Sequence, residues 1–363
     1  MSRKDGMNYA PKGQPHHVVE DGEFIFAAIA LDHGHIYGMC QGLLDAGASL
    51  QKVFDPDPEK MKAFQNKFPS VQIATSESEI LEDPSIHLVA AAAIPSKRSE
   101  LGNRVMRHGK DYFTDKTPFT TLEQLEETKR ICKETKQKYM VYYSERLHVE
   151  SAVYAGQLIE AGAIGEVIQV TGFGPHRLNA PSRPDWFFKK EYYGGILCDI
   201  GSHQIEQFLF YTGNKDATVL HSKVANYTST DYPELEDYGD ATLVGENGAS
   251  HFFRVDWHTP DGLGVWGDGR LFLIGTKGTI EIRKYIDVAK DTTGDHLYLV
   301  NDDGEQHFSV QGKVGFPFFG ELILDCLHRT EHAMTQEHAF KAAELCLIAQ
   351  KQANLIYTSP VQS

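Results

Sequence analysis

A chain of 363 residues, 41% hydrophobic and 23% charged, is long enough for two cores at roughly 100–200 residues per domain. Its formal charge of -15 leaves no basic stripe to offset phosphate, so neither nucleic acid nor an anionic membrane is an expected partner. Cys40, Cys132, Cys198, Cys326 and Cys346 are odd in number and scattered, residues 1–22 are a polar leader without a signal-length apolar run, and no later segment reaches about 18 uninterrupted apolar residues; a cytoplasmic, membrane-free protein without a disulfide framework is expected.

From Phe24, short apolar runs alternate with amphipathic segments. Strands are expected at 24–30, 50–55, 87–94, 112–114 and 139–142, and helices at 35–46, 57–67, 97–108 and 121–137. Gly47 and Gly109 close helices, and Asp55-Pro56-Asp57-Pro58 separates a strand from the helix after it. Such alternation predicts a doubly wound parallel sheet over 23–143. A helix at 148–160 follows, closed by Gly162. The β-like runs at 167–173, 217–227, 240–245, 249–257, 271–275 and 278–283 then predict an open, mostly antiparallel sheet domain over 144–335. Two late helices are expected at about 316–330 and 337–356, with Phe340, Ala343, Leu347 and Ile348 at helical spacing in the second, and 336–363 is read as a C-terminal helix and tail packing back. The fold class is α/β plus α+β, without internal repeats.

In a doubly wound sheet the ligand lies outside the carboxyl ends of the strands, which here points to the loop Ala30-Leu31-Asp32-His33-Gly34-His35. Ala30, Asp32 and His35 stand where the three glycines of Gly-x-Gly-x-x-Gly would fall. Each Cβ pushes phosphate away, and the Asp32 carboxylate repels a pyrophosphate unless it turns toward a helix or solvent. Gly34 and the following helix N-terminus still offer backbone N–H groups. Asp55 ends the second strand, where an acid accepts hydrogen bonds from adenosine ribose hydroxyls and repels a 2'-phosphate, which favours NAD over NADP. A helix cap at the Asp-Pro turn is the other reading of Asp55.

The segment Tyr193-Gly194-Gly195-Ile196-Leu197-Cys198-Asp199-Ile200-Gly201-Ser202-His203 supplies acid/base chemistry. Asp199 and His203 are four residues apart, so on a helix marked by Ile205, Phe208 and Leu209 they share one face. An N-cap followed by a hydrogen-bonded helix histidine is the alternative.

Several segments together resemble the glucose-fructose oxidoreductase / inositol dehydrogenase family, Gfo/Idh/MocA, over nearly the whole chain. They are the first-strand loop followed by Leu43–Ala48, Val53–Lys60, Ile94-Pro95, Gly109–Lys116, Gly162–Val167 and Gly194–His203. The resemblance implies a Rossmann domain carrying NAD(P), NADP being the less favoured of the two, a sheet domain making homodimer or homotetramer contacts, and hydride transfer at a secondary hydroxyl or keto group of a sugar, sugar derivative or cyclitol. The family's Glu-Lys-Pro motif falls on Asp115-Lys116-Thr117, and Asp199 and His203 match its active-site Asp and His. His203 is then the proton acceptor, Lys116 stabilises the developing oxyanion and Asp199 orients or stabilises the imidazolium. The cofactor set implied is Leu31, Asp32, His33, Gly34, Asp55, Ile94, Pro95, Asp115 and Lys116. Thr117 replaces the family's Pro, and a Lys–Thr bond prefers trans by about 2.5–4 kcal/mol. Ser99 stands where many members carry a histidine.

The loop Gly174–Phe188 is rich in donors and aromatics, so His176, Arg177, Arg183 and Trp186 are substrate candidates, with Tyr143 and Arg146 facing the cleft in family members. Trp186 and Phe187 are alternatively anchors for the loop or an oligomer interface. No metal is expected: His33-Gly34-His35 beside Asp32 fixes no further ligands, and His16-His17 lies in the leader. Tyr232–Asp237 reads as a solvated acidic loop. Two rival functions share these residues: a glycosidase or lyase using NAD transiently through oxidation and elimination, and a non-catalytic sensor or scaffold with impaired cofactor binding.

Overall fold

In the computed structural model, residues 6–11, 13 and 15–356 are described; the expectations for the rest of the leader and for the tail beyond 356 fall outside them. Apolar residues at every position of Ile25–Ile29 (β1) suit a strand buried on both faces. It is followed by α1 (His35–Asp45), β2 (Ser49–Phe54), α2 (Pro58–Lys67), β3 (Gln72–Ile73), α3 (Glu77–Leu81), β4 (Leu88–Ala91), α4 (Pro95–Arg107), β5 (Asp111–Asp115), α5 (Leu122–Thr135) and β6 (Tyr139–Tyr142). Side-chain caps start three of the helices: Asp57 accepts from Glu59 N–H, Ser76 from Glu79 N–H and Thr121 from Gln124 N–H. All six strands are parallel in the order β3-β2-β1-β4-β5-β6. The chain therefore reverses direction of travel at β1/β4, and the loops leaving those two strands stand side by side: His33 N–H donates to Ala92 O over 2.9 Å. β3 and α3, too short for a periodicity to register, were not among the expected elements.

The second unit runs through α6 (Ser144–Leu147), α7 (Glu150–Glu160), β7 (Val167–Pro175), α8 (Lys190–Tyr193), α9 (Ile196–Asp199), α10 (Gly201–Thr212), β8 (Ala217–Ala225), β9 (Tyr238–Gly245), β10 (Ser250–Asp256), β11 (Arg270–Gly275), β12 (Gly278–Arg283), β13 (His296–Asn301) and β14 (Gly304–Ser309). The chain ends its described part with α11 (Pro317–His328), α12 (Gln336–Gln352) and β15 (Asn354–Ile356). Nine strands form one sheet in the order β14-β13-β12-β11-β7-β10-β9-β8-β15, antiparallel except for β7/β10 and β8/β15. Leu271, Leu273, Ile280, Ile282, Leu243, Phe253 and Val255 point to its buried face. On that face α10 lies close to β7, where Gly172 leaves room for the Gln204 side chain. β13, β14 and β15 extend the sheet beyond the expected strands.

The compact units do not follow the expected boundaries everywhere. Gly315–Phe340 clusters with Met7–Tyr142, whereas the chain from Lys341 clusters with Tyr143–Val314. Aromatic packing explains the first assignment: Phe318 and Phe319 meet Phe113 at 5.8 and 6.4 Å, and Phe340 meets Tyr139 at 5.9 Å. Residues 315–335, expected in the sheet domain, thus belong to the parallel-sheet unit. Among the described residues no helix is long and apolar enough to cross a membrane.

Candidate active site

On the parallel-sheet unit, Ala30 adopts φ 58°, the left-handed conformation natural to glycine. The backbone path of a glycine loop is kept at a cost of roughly 1 kcal/mol for the Cβ. Asp55, buried at the end of β2, accepts Leu31 N–H on Oδ2 (2.7 Å) and Asp57 N–H on Oδ1 (2.8 Å). Asp55 therefore ties the first-strand loop to the Asp-Pro turn, but the N-cap of α2 is Asp57, so the helix-cap reading of Asp55 does not hold. Asp32 turns toward α2 and the β4 loop: Lys60 Nζ donates to Oδ1 over 2.6 Å and Ile94 N–H to Oδ2 over 3.2 Å. Burial pulls the Lys60 ammonium toward neutrality, but its bond to Asp32 and the charges of Asp32, Asp55 and Asp57 outweigh that and raise its pKa. These residues fit a dinucleotide: the loop keeps its turn, its acid carries a counter-charge, and an acid stands at the ribose position.

Lys116 follows β5, and its backbone is held by a buried network. Asp115 Oδ1 accepts from His35 Nδ1 (2.8 Å) and Lys116 N–H (2.8 Å); Oδ2 accepts from Arg98 (3.1 Å) and lies 3.2 Å from His33 Nδ1. Arg98, buried in α4, also donates to the carbonyl of Lys116, within the Lys116–Thr117 peptide, which is cis, and to that of Thr117 in the next peptide. Burial raises the pKa of Asp115, but the charges of His35, Arg98 and His33 overcome it and hold the carboxyl well below the usual range. Burial first, then His35, Lys116 and Arg98, lower the His33 pKa well below normal, against the pull of Asp115. His33, His35 and Asp115 bring three potential ligand atoms within 4.8 Å of one another. The expectation that His33-Gly34-His35 lacks a third ligand is corrected by Asp115. Both Asp115 oxygens are nonetheless occupied by donors, and the adjacent guanidinium opposes a further cation. Ser99 is buried against Thr128, 3.1 Å between hydroxyls.

On the sheet unit, Asp199 ends α9, Ile200 intervenes, and His203 lies buried in the first turn of α10. Ile200 is the N-cap of α10, so the capping alternative for Asp199 does not hold. Beside them is a polar cluster that the sequence did not reveal. Lys284 Nζ donates to Glu145 Oε2 over 2.6 Å, Gln204 Nε2 approaches the same oxygen at 3.3 Å, and His176 Nε2 is 4.0 Å from Oε1. Oε1 is buried with no hydrogen-bond partner among the described residues. Burial raises the Glu145 pKa, but Lys284, His203 and His176 outweigh it and bring it down to about 2. Glu145 adjoins the predicted Arg146 in the chain; Lys284 carries no signal beyond a charge just after the alternating strand β12.

The expected substrate residues fall into two groups. His176 donates Nδ1–H to Gly174 O (3.1 Å) and packs tilted against Trp266 (4.4 Å), which leaves Nε2 toward Glu145. Tyr143 is fully buried, with its hydroxyl pKa raised by burial and by Cys346, Glu206 and Cys198; Trp186 is half-buried beside Phe187. The arginines are engaged in bracing. Arg146 pairs with Glu206 at 2.5 Å and lies over Phe210 at 3.9 Å; Arg177 donates to Pro260 O and Leu263 O; Arg183 donates to Leu178 O and covers Phe187 and Trp257. Glu236 of the acidic segment is buried and receives Ile196 N–H (2.9 Å) and Gln350 Nε2 (3.0 Å), so part of that segment is a structural anchor, not a solvated loop.

Fold, loop and strand-end acid define an oxidoreductase with an NAD-binding Rossmann domain, and the model of the "Oxidoreductase family, NAD-binding Rossmann fold" matches residues 32–143. That of the "GFO/IDH/MocA C-terminal domain" matches 153–281. The chain belongs to the Gfo/Idh/MocA family. A crystal structure from Erwinia carotovora atroseptica SCRI1043, assigned as an oxidoreductase, is 53% identical with a TM-score of 0.90, covering 92% of this chain and 100% of that one. D-xylose dehydrogenase of Paenarthrobacter nicotinovorans is 27% identical over 149 residues, 40% of this chain and 38% of that protein. The scyllo-inositol 2-dehydrogenase (NAD(+)) of Bacillus subtilis is 27% identical over 242 residues, 65% of this chain and 66% of its own length. The matched regions thus span less than two thirds of either curated relative.

Proposed function

We propose that this protein is an NAD-dependent oxidoreductase that moves a hydride between nicotinamide and a secondary hydroxyl or keto group of a sugar, sugar derivative or cyclitol. The observation that carries the reading is the buried group Glu145, Lys284, His176 and His203 on the sheet unit. Charges that have left water persist only where partners compensate them, and convergent donors and acceptors in an apolar setting suit a polyhydroxylated ligand. The named activities of the xylose and inositol dehydrogenases support the same substrate class.

In this reading Asp55 holds the adenosine ribose, the Leu31–Gly34 loop and the N-terminus of α1 take the pyrophosphate, and Ile94, Pro95, Asp115 and Lys116 frame the nicotinamide end. NAD, when bound, supplies the hydride acceptor. His203 takes the hydroxyl proton, Asp199 stabilises the resulting imidazolium, and Lys116 stabilises charge on oxygen. His176 and Trp186 meet the substrate, while the fully buried Tyr143, with Arg146, Arg177 and Arg183, holds the surrounding walls. The partly exposed outer strand residues Phe252, Ile274 and Val300 support self-association of the sheet into a dimer or tetramer, and the unpaired cysteines agree with a cytoplasmic setting.

The test is incubation of purified protein with NAD and separate aldoses, sugar acids, anhydrosugars and inositols, following NADH and product. Substrate-dependent NADH is expected. Turnover of a glycoside without net NADH would replace this reading with transient oxidation and elimination. Binding of neither NAD nor any sugar would replace it with the scaffold.

A further inference from the structure

The phosphate loop of this chain carries an acid where phosphate must approach, and the structure shows what stands against it. Asp32 receives Lys60 Nζ at 2.6 Å and Ile94 N–H at 3.2 Å, and the same ammonium is 3.9 Å from Asp55 Oδ1. Lys60 lies on the first turn of α2, beside the β1/β4 switch point at which a doubly wound sheet binds its ligand. An ordinary exposed ion pair contributes little. This one differs in its setting, because it brings a cation to the acid of the loop that the proposed reading places against phosphate, and Asp32 is held from a second side by the β4 loop. We infer that Lys60 neutralises Asp32 and thereby makes this glycine-poor loop able to accept the diphosphate of a dinucleotide.

The inference rests on the NAD reading above and assigns a binding role to a residue outside the loop itself. Removing Lys60 while keeping Asp32 leaves a bare carboxylate beside phosphate. Removing both charges leaves a neutral loop. Adenosine, which lacks phosphate, reports only on the Asp55 end. The three ligands and the double variant therefore separate neutralisation from general damage.

The experiment is calorimetric titration of NAD, ADP and adenosine into the wild-type protein, Lys60→Gln, Asp32→Asn and the double variant, with melting temperatures as a check on folding. The expected result for Lys60→Gln is NAD and ADP affinity lower by roughly tenfold, the effect of one uncompensated charge at a protein surface, with adenosine affinity unchanged. The double variant should return to within about threefold of wild type. Unchanged NAD and ADP affinity in Lys60→Gln overturns the inference, as does a double variant as weak as Lys60→Gln. Equal loss of adenosine also overturns it, since Lys60 would then act through Asp55. Wild-type protein that binds adenosine but neither NAD nor ADP overturns it as well, whereas failure of all three ligands removes the cofactor reading beneath it.

Discussion

The Lys284 ammonium lies 2.6 Å from Glu145 Oε2, and the two side chains are 0% and 2% exposed. Neither charge has water to fall back on. Lys284→Met leaves the Glu145 carboxylate uncompensated and is expected to cost about 3–5 kcal/mol, whereas adding Glu145→Gln recovers most of that loss. Urea denaturation at pH 7 measures both; a Lys284→Met protein as stable as wild type would refute the pairing. The pH dependence has a definite sign. The folded pKa of Glu145, at about 2, is below its ordinary 4.5, so its stabilisation is complete above pH 4.5 and disappears as pH falls toward 2. Glu145→Gln should lose that part of the acid sensitivity.

Asp295 gives the opposite slope. Its Oδ1 accepts Ser151 N–H (2.8 Å) and Oγ (3.1 Å) at the start of α7, but burial dominates and raises its pKa from 3.8 to about 6. The folded state therefore holds this proton more tightly than the unfolded chain. Stability from this group is greatest below about pH 4 and is lost as pH rises through about 6, a change on the order of 3 kcal/mol at about 1.4 kcal/mol per pKa unit. Asp295→Asn keeps an acceptor for Ser151 and should flatten stability between pH 4 and 6; an unchanged slope would assign it to other groups.

Asp55 holds the loop and turn through two backbone N–H groups and is proposed to bind ribose as well, so its variants should divide the two roles. Asp55→Ala is expected to weaken NAD, relax discrimination against NADP, and cost about 1–3 kcal/mol for the buried Leu31 N–H left unpaired, while the exposed Asp57 N–H turns to water. Asp55→Asn retains an acceptor and should lose less stability while still relaxing the preference. Thermal-shift titrations with both cofactors read the two effects separately. An NAD preference unaltered in both variants would restrict Asp55 to the turn.

His203→Ala should reduce turnover by ~10²-fold or more with NAD affinity little changed, as expected for loss of a general acid/base. Once a substrate is in hand, steady-state kinetics and a binding titration on the same preparation decide it. Unaltered turnover would remove His203 from proton transfer.

The strand-helix alternation of residues 24–142 was legible because buried parallel strands are almost wholly apolar and their helices amphipathic. Glycine and proline marked the ends. β13 and β14 were readable in principle from the alternation around Asn301-Asp302-Asp303-Gly304, whereas a two-residue strand such as β3 has no period to detect. The acids and histidine in the named motifs could be found because their spacing is local. Arg98, Glu145 and Lys284 could not: each is a charge whose meaning lies in a partner 17 to 139 residues away. Arg146, Arg177 and Arg183 were visible as donors, but only the fold shows those donors turned to Glu206 and to carbonyls.

Arg98 offers the sharpest separation of position from charge. Its fork spans Asp115 Oδ2 and the carbonyls of Lys116 and Thr117, three acceptors that one ammonium cannot reach with the same geometry. Arg98→Lys keeps the positive charge beside Asp115 and should still fold. The Lys116 backbone would lose its clamp, and under the catalytic role proposed for Lys116 a displacement near 1 Å costs about 10²-fold in rate. The expected signature is kcat lowered by about that factor with KM for NAD within a few-fold of wild type, because the bonds that hold Asp55 do not involve Arg98. A rise in KM for NAD with kcat preserved would instead make Arg98 part of the cofactor cradle, and unchanged kinetics would reduce the clamp to a contributor to folding alone.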